Sequence, residues 1–489
     1  MLFNSYVFIL AFFPLVLLGY FFLNHINKYR SAKVFLIFAS LFFYGYFNWS
    51  YLLIIVLSVI INYVFSQIML KNTNSVVRKT VFAVSLIANI GSLFFFKYYD
   101  FFIGNVNSLF SSSIPLLNIT LPLGISFFTF QQLSYVIDSY TRDKNISEYN
   151  FLDYTLFVTY FPQLIAGPIV THNEMAPQFA DLSKKKFNPE NFAVGVYGFV
   201  LGLAKKVIIA DTLGLLVDSV FLDIGEIGTI GSLIVMLSYT FQIYFDFSGY
   251  CDMATGIGKM MNIDITMNFN SPYKAISVVD FWKRWHMTLT RFFTRYIYIP
   301  LGGNRKGEAR TYANIMIVYL VSGIWHGANW TFILWGVLHG LFSVITRIVD
   351  KATGLFSQPR KKWVTVLLWF GTFTFINMTW IIFRANSFDQ VTEFYQQLFS
   401  MNFNIDASLL SKISNDGFNL IDKFIPYVKK CLPIALLAFA MFASIFMKNT
   451  NERMNDFKPT ITKAVITSVL LIWCVMSFAG VSSFLYWNF

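Results

Sequence analysis

Long apolar stretches recur along the whole chain, near 5–24, 33–48, 51–70, 80–96, 121–137, 151–170, 193–221, 228–245, 312–347, 363–383, 427–447 and 464–483. A helix of about 20 apolar residues crosses a bilayer, so the pattern predicts an all-α polytopic membrane protein with about ten to thirteen transmembrane or re-entrant helices. Several stretches are interrupted, by Pro122 with Gly124, by Pro162 with Gly167 and Pro168, and by Gly323 with Gly327. Broken backbone at membrane depth must be sheltered by protein or line a cavity, so these interruptions predict half-helices. No internal repeat divides the chain, and residues 1–489 read as a single integral membrane domain.

Composition supports this reading. Of 489 residues, 56% are hydrophobic and 13% charged, against roughly 25% charged in soluble domains. The net charge of +12 sits in short segments between apolar stretches, as in cytoplasmic membrane loops, so it marks topology and not nucleic-acid binding. Lys28, Arg30 and Lys33 follow the first stretch, and Lys71, Arg78 and Lys79 follow the third, which places the N-terminus outside. The first stretch lacks a basic n-region and a cleavage site and is expected to remain as a span. Lys351, Arg360 and Lys361 mark one later loop as cytoplasmic and Lys448, Arg453 and Lys458 another. The polar 386–426 loop between them is then extracytoplasmic and long enough to carry short helices. Cys251, Cys431 and Cys474 suggest neither a disulfide framework nor a zinc motif.

Candidate chemistry concentrates in one region. In Val321-Ser-Gly-Ile-Trp-His-Gly-Ala-Asn-Trp330, His326 sits in an apolar run. A neutral imidazole there can accept a hydroxyl proton near neutral pH; the alternative is a buried histidine bonded to a carbonyl, and position alone leaves the two balanced. His339 lies thirteen residues further on; on one straight helix that is about 20 Å, too far to share a site. It reads as structural or as a gate. No H-x-x-x-H spacing occurs, and no catalytic metal is expected.

Residues 280–295 separate at helical period. Arg284, Arg291 and Arg295 fall on one face, and Trp282, His286, Leu289 and Phe293 on the other. Two readings stay open: an amphipathic helix at the interface, its arginines reaching lipid phosphates, or an arginine face that receives an anionic cofactor while His286 points inward. A turn ending in Arg305 follows. Asp246 and Asp252 stand in apolar surroundings and require partners.

FWKRWHMTLTRFFTRYIYIPLGGNR (281–305) followed by WHGANWTFILWGVLHG (325–340) resembles the core of bacterial membrane-bound O-acyltransferases. The likeness extends upstream through LPLGISFFTFQQLSYVIDSY (121–140), YFPQLIAGPIV (160–170) and YFDFSGYCDMATGIGKMMNI (244–263), and downstream to WIIFRANSF (380–388) and the C-terminal FLYWNF (484–489). The N-terminus and length look more like the alginate and peptidoglycan O-acetylation branch than the teichoic acid D-alanyl transferases. The resemblance implies helices around a central tunnel, with a cytoplasmic funnel meeting an extracytoplasmic cavity at His326 and with His286 as the second histidine. It implies no permanently bound cofactor, acetyl-coenzyme A as the donor, and residence in the bacterial inner membrane. The cofactor residues would be Arg284, Arg291, Arg295 and Arg305. Adjacency makes Asn329, the backbone at Gly327, and Trp325 candidates for the oxyanion site or tunnel wall. The expected acceptor is an extracytoplasmic polysaccharide, reached through an esterase-like acetyltransferase partner. Teichoic acid D-alanylation is the alternative within the class, and a transporter or polysaccharide-export component is the alternative outside it.

Overall fold

The computed structural model describes residues 1–144, 146–404 and 428–478, with side chains in the last stretch from 434 onward. The helices are α1 Phe13–His25, α2 Tyr29–Gly45, α3 Ser50–Lys71, α4 Ser75–Leu93, α5 Tyr99–Phe110, α6 Ile125–Thr141, α7 Phe151–Thr159, α8 Phe161–Leu164, α9 His172–Ala180, α10 Pro189–Ala204, α11 Asp211–Leu222, α12 Gly228–Met260, α13 Val278–Trp282, α14 Met287–Phe293, α15 Glu308–His326, α16 Trp330–Thr353, α17 Lys362–Arg384, α18 Phe388–Leu398, α19 Val428–Phe446, α20 Thr450–Asn455 and α21 Ile461–Met476. Wider π-helical turns at Phe8–Phe12, Phe94–Tyr98, Lys205–Ala210 and Thr294–Tyr298 adjoin some of them. Among the described residues there is no strand, and the all-α expectation holds. Among the described residues, seven stretches are long and apolar enough to cross a membrane: Phe8–His25, Ser50–Lys71, Ser75–Phe110, Pro189–Leu222, Gly228–Met260, Trp330–Thr353 and Lys362–Arg384.

The chain packs as two compact units: Met1–Val196 with Ala254–Thr266, and Tyr197–Met253 with the described residues from Met267 onward. In the first unit, lipid inverts the usual burial pattern. Helix α3, about 33 Å long at 1.5 Å per residue, exposes Leu53 and Leu57 while burying Asn62 and Ser66. Apolar side chains gain nothing by leaving hydrocarbon, so polar ones turn to the neighbouring helix. Asn62 Nδ2 donates to Asn89 Oδ1 of α4 at 3.1 Å, and Asn89 Nδ2 returns a bond to Asn62 Oδ1 at 2.7 Å. The 151–170 stretch is not one span. Helix α7 stops at Thr159, α8 makes a single turn at Pro162, and irregular chain continues to 171 with residues 161–171 buried. Protein therefore shelters this interrupted backbone, as membrane depth requires.

In the second unit, the 312–347 stretch also divides. Helices α15 and α16 pack together as a hairpin joined by 327–329. A Cβ on Gly323 would meet Phe332 O at 2.5 Å, and one on Gly336 would meet Tyr319 O at the same distance. Small residues let the two backbones touch, the usual basis of helix association in lipid. The carboxylates of α12 find cationic partners: Lys206 Nζ lies 2.7 Å from Asp211 Oδ1 and 2.6 Å from Asp246 Oδ1, and Lys205 Nζ lies 2.6 Å from Asp252 Oδ2. Charges buried this deeply persist because they are paired.

Of the 386–426 loop, residues up to 404 are described. They include α18, which buries Val391, Phe394 and Leu398 and exposes Asp389, Glu393 and Gln396. The rest of the loop and the C-terminal FLYWNF lie outside the described residues.

Candidate active site

His326 is the last residue of α15 and is 2% exposed. Its ring stands edge-on to Trp335 at 5.1 Å and Phe383 at 5.2 Å, and 4.8 Å from the ring of Trp325. The helix ends here because Gly327 is extended, and Phe332 occupies the space a Cβ at 327 would need. Asn329 then starts α16: its Oδ1 accepts from Thr331 N at 3.0 Å, and its Nδ2 donates to Asn386 O at 2.7 Å. One end of the Asn329 amide thus caps α16, and the other ties the turn to the chain that follows α17.

Residues 280–295 do not form the single two-sided helix that their periodicity predicts. Helix α13 ends at Trp282, and His286 adopts a left-handed conformation, φ 45°, before α14 begins. The break turns His286 fully inward. Its ring lies 6.1 Å from Trp325, so the Trp325 indole touches both His286 and His326. His286 Nδ1 lies 3.1 Å from Asn268 Oδ1, and that oxygen also accepts from Thr288 N at 3.2 Å and Thr288 Oγ1 at 2.9 Å. A backbone N–H can only donate, so the Asn268 atom is the carbonyl oxygen and His286 Nδ1 carries the proton. Neutral His286 therefore holds its lone pair on Nε2, the form a base requires. Asn268 was missed from the sequence because it lies in an irregular stretch with no motif to single it out.

His339 corrects the straight-helix expectation. It stands on α16, which runs back along α15, and its ring is 4.6 Å from Trp335, the same indole that faces His326. Trp282 Nε1 donates to His339 Nδ1 at 3.1 Å, which leaves the His339 proton on Nε2 to be donated to Thr379 Oγ1 at 3.1 Å. With both nitrogens held, His339 ties α13, α16 and α17 together. The structural reading fits it.

The predicted cations are dispersed. Arg284 donates to Asp280 Oδ1 at 2.9 Å, Arg295 lies over the Tyr296 ring at 5.4 Å, and Arg291 and Arg305 are exposed. A cavity of about 280 Å³ lies between α13, α14, α15 and α16, and its cationic lining residues are Lys283 and Arg347. Ser322, one helical turn before His326, lines the same cavity. Neither cation stood out in the sequence, Lys283 because Arg284 beside it fitted the arginine stripe and Arg347 because it reads as an ordinary helix-end residue. Among the described residues no three His, Cys, Asp or Glu side chains group as metal ligands do.

A multi-pass helical protein with a buried histidine at a membrane helix break suits chemistry that must be kept from water. The chain matches the MBOAT profile over residues 10–385 and belongs to the membrane-bound O-acyltransferase family; it is an acyl-transferring enzyme of the membrane. It is 40% identical to the peptidoglycan O-acetyltransferase of Helicobacter pylori, over 100% of this chain and 98% of that one. It is 34% identical to the probable alginate O-acetylase of Pseudomonas putida over the full length of both. Similarity to the teichoic acid D-alanyltransferase of Bacillus subtilis is 27% over 63% of this chain.

Proposed function

We propose that this protein transfers acetyl groups from a cytoplasmic thioester to a hydroxyl-bearing acceptor for the O-acetylation of an extracytoplasmic polysaccharide, with His326 as general base. The observation that carries the reading is the full-length likeness to a peptidoglycan O-acetyltransferase, taken with the placement of His326 at the break between α15 and α16. The partial, weaker match to D-alanyltransferases makes D-alanylation the lesser reading. Family membership sets the transporter reading aside.

In the proposed reaction a nitrogen of His326 takes the acceptor's hydroxyl proton as that oxygen attacks the thioester carbonyl. The C–S bond then breaks, and the thiolate leaves with a proton returned from the imidazolium. His286, whose lone pair is on Nε2, is the second histidine of the site. Trp325 forms the wall between them, and the backbone at Gly327 remains the candidate for stabilising the oxyanion. Acetyl-coenzyme A is the proposed donor. Its phosphates would meet Lys283 and Arg347 at the cavity beside α15, with Arg291, Arg295 and Arg305 outside, while Arg284 is already paired with Asp280.

Charge placement supports an orientation in a bacterial inner membrane with the Lys28–Lys33 face in the cytoplasm. A polysaccharide would have to desolvate many hydroxyls to reach a buried histidine. An esterase-like acetyltransferase partner that takes the acetyl group outside fits better, with the exposed face of α18, Asp389, Glu393 and Gln396, as its docking surface.

The test is release of coenzyme A from labelled acetyl-coenzyme A by purified protein with acceptor present. His326→Ala is expected to lower acceptor-dependent release by at least about 100-fold, the lower end for loss of a general base, while membrane abundance and melting stay unchanged. Wild-type acetylation by that variant sinks the assignment.

A further inference from the structure

The first unit contains a second cavity, of about 760 Å³, at the turn between α1 and α2. Its volume is in the range of small-molecule sites. One wall is apolar: Leu18 and Phe22 of α1, with Leu182 and Phe187 from the segment between α9 and α10. All four are half or more exposed, and Leu182 and Phe187 lie outside the seven candidate spans. Between them in sequence stand Lys184, Lys185 and Lys186, which differ in their partners. Lys184 is paired with Asp264 at 2.6 Å. Lys186 is exposed and lines the cavity.

Lys185 is 5% exposed, lines the same cavity, and has no salt bridge among the described residues. Its ammonium is 3.4 Å from Tyr20 Oη and lies over the Tyr20 ring at 5.9 Å. Two carboxylates act on it from a distance, and both have other partners: Asp153 is held by Lys33 at 2.5 Å, and Asp181 accepts from Ser183 N at 2.8 Å and Ser183 Oγ at 2.7 Å. A buried ammonium with no carboxylate in direct contact is costly and favours a bound anion. Burial holds the Lys185 ammonium below the ordinary lysine range, at about 8, a penalty that a bound anion would relieve.

Lys28, Arg30 and Lys33 begin at the same turn, so the cavity opens where a basic protein face meets the ends of its spans. A small soluble anion would satisfy Lys185 and leave the exposed apolar wall uncovered. An amphiphile with an anionic head satisfies both. We propose that this groove is a binding site for one anionic phospholipid of the adjoining leaflet, its phosphate against Lys185 and Lys186 and an acyl chain along Leu18 and Phe22. The site belongs to the first unit and does not depend on the acyl-transfer reading.

The test uses the purified full chain in detergent, titrated with dioleoylphosphatidylglycerol or dioleoylphosphatidylcholine, with native mass spectrometry to count retained lipid and thermal unfolding to read stabilisation. The wild type is expected to retain phosphatidylglycerol in preference to phosphatidylcholine and to melt higher with it. Lys185→Met, which keeps the length of the side chain and removes its charge, is expected to retain phosphatidylglycerol roughly fivefold less, the effect of one cation at an anionic lipid surface. Lys186→Gln, at an exposed position, carries the same expectation should Lys185→Met fail to accumulate. Leu182→Asn is expected to weaken retention with both cations intact. Equal retention of the two lipids by the wild type overturns the proposal, as does undiminished phosphatidylglycerol retention in the lysine variants. Stabilisation by soluble glycerol 3-phosphate equal to that by the lipid overturns it as well, since the apolar wall would then have no part.

Discussion

Helices α3 and α4 of the first unit and helices α15 and α16 of the second are both antiparallel pairs built for lipid, yet they use polar residues differently. Between α3 and α4 the buried amides of Asn62 and Asn89 answer each other, two bonds closing on one pair. Between α15 and α16 the buried contact is made by glycines, with a solvent-exposed ion pair of Lys351 and Glu308 at the far end, and the buried histidines are directed elsewhere: His339 to Trp282 and Thr379, His326 into a ring of aromatics. Where backbones touch through Gly323 and Gly336, no side chain is needed as glue, and imidazoles become available for other tasks. The first pair is an example of cohesion and the second of positioning.

That contrast can be broken at several points. After the loss of His326, the largest effect is expected from His286→Ala, with acceptor-dependent transfer falling about 100-fold; Asn268→Leu, which frees the tautomer, is expected to shift the pH profile of the same assay. Gly336→Leu sets a side chain against Tyr319 O, and overpacking of this kind costs about 1–3 kcal/mol, so folded protein in the membrane should fall with activity. His339→Phe keeps the ring and strands the Trp282 donor and the Thr379 acceptor. It is expected to destabilise by about 1–3 kcal/mol, read as a lower melting temperature, without changing the KM for donor. Smallest is Asn62→Leu with Asn89→Leu: removing both amides should alter stability by about 0.6 kcal/mol, with transfer retained. A large loss of transfer in that double variant would erase the distinction between the two pairs.

Much of this was legible in the sequence. Block lengths announce the helices, and proline and glycine announce the broken 151–170 and 312–347 stretches. His326 stands out because an imidazole amid apolar residues is conspicuous. The course of the chain through 280–295 was not legible, since the spacing of its arginines and aromatics is also that of a continuous helix. The left-handed backbone at His286 divides it, a conformation that only a few per cent of non-glycine residues adopt and that no glycine marks here. The distance between His326 and His339 was misjudged for a related reason: separation along a chain becomes proximity once Gly327 ends one helix and Asn329 begins the next. The partners of Asp246 and Asp252 were required by physics, but their identity as Lys206 and Lys205 depended on how the π-helical turn Lys205–Ala210 meets α12.

The ion pairs around Lys206 also constrain the order of assembly. The stretch 189–222 carries Lys205, Lys206 and Asp211, and each such charge at the centre of a lone helix resists insertion by about 2.5–3.5 kcal/mol. Left alone in lipid, that segment would be a poor lodger. Asp211 pairs with Lys206 inside the stretch, but Asp246 and Asp252, which complete the pairing of its two lysines, emerge from the ribosome some forty residues later, on α12. This part of the chain is therefore expected to wait at the insertion machinery until α12 arrives, and to enter the membrane with it as a single charge-compensated package.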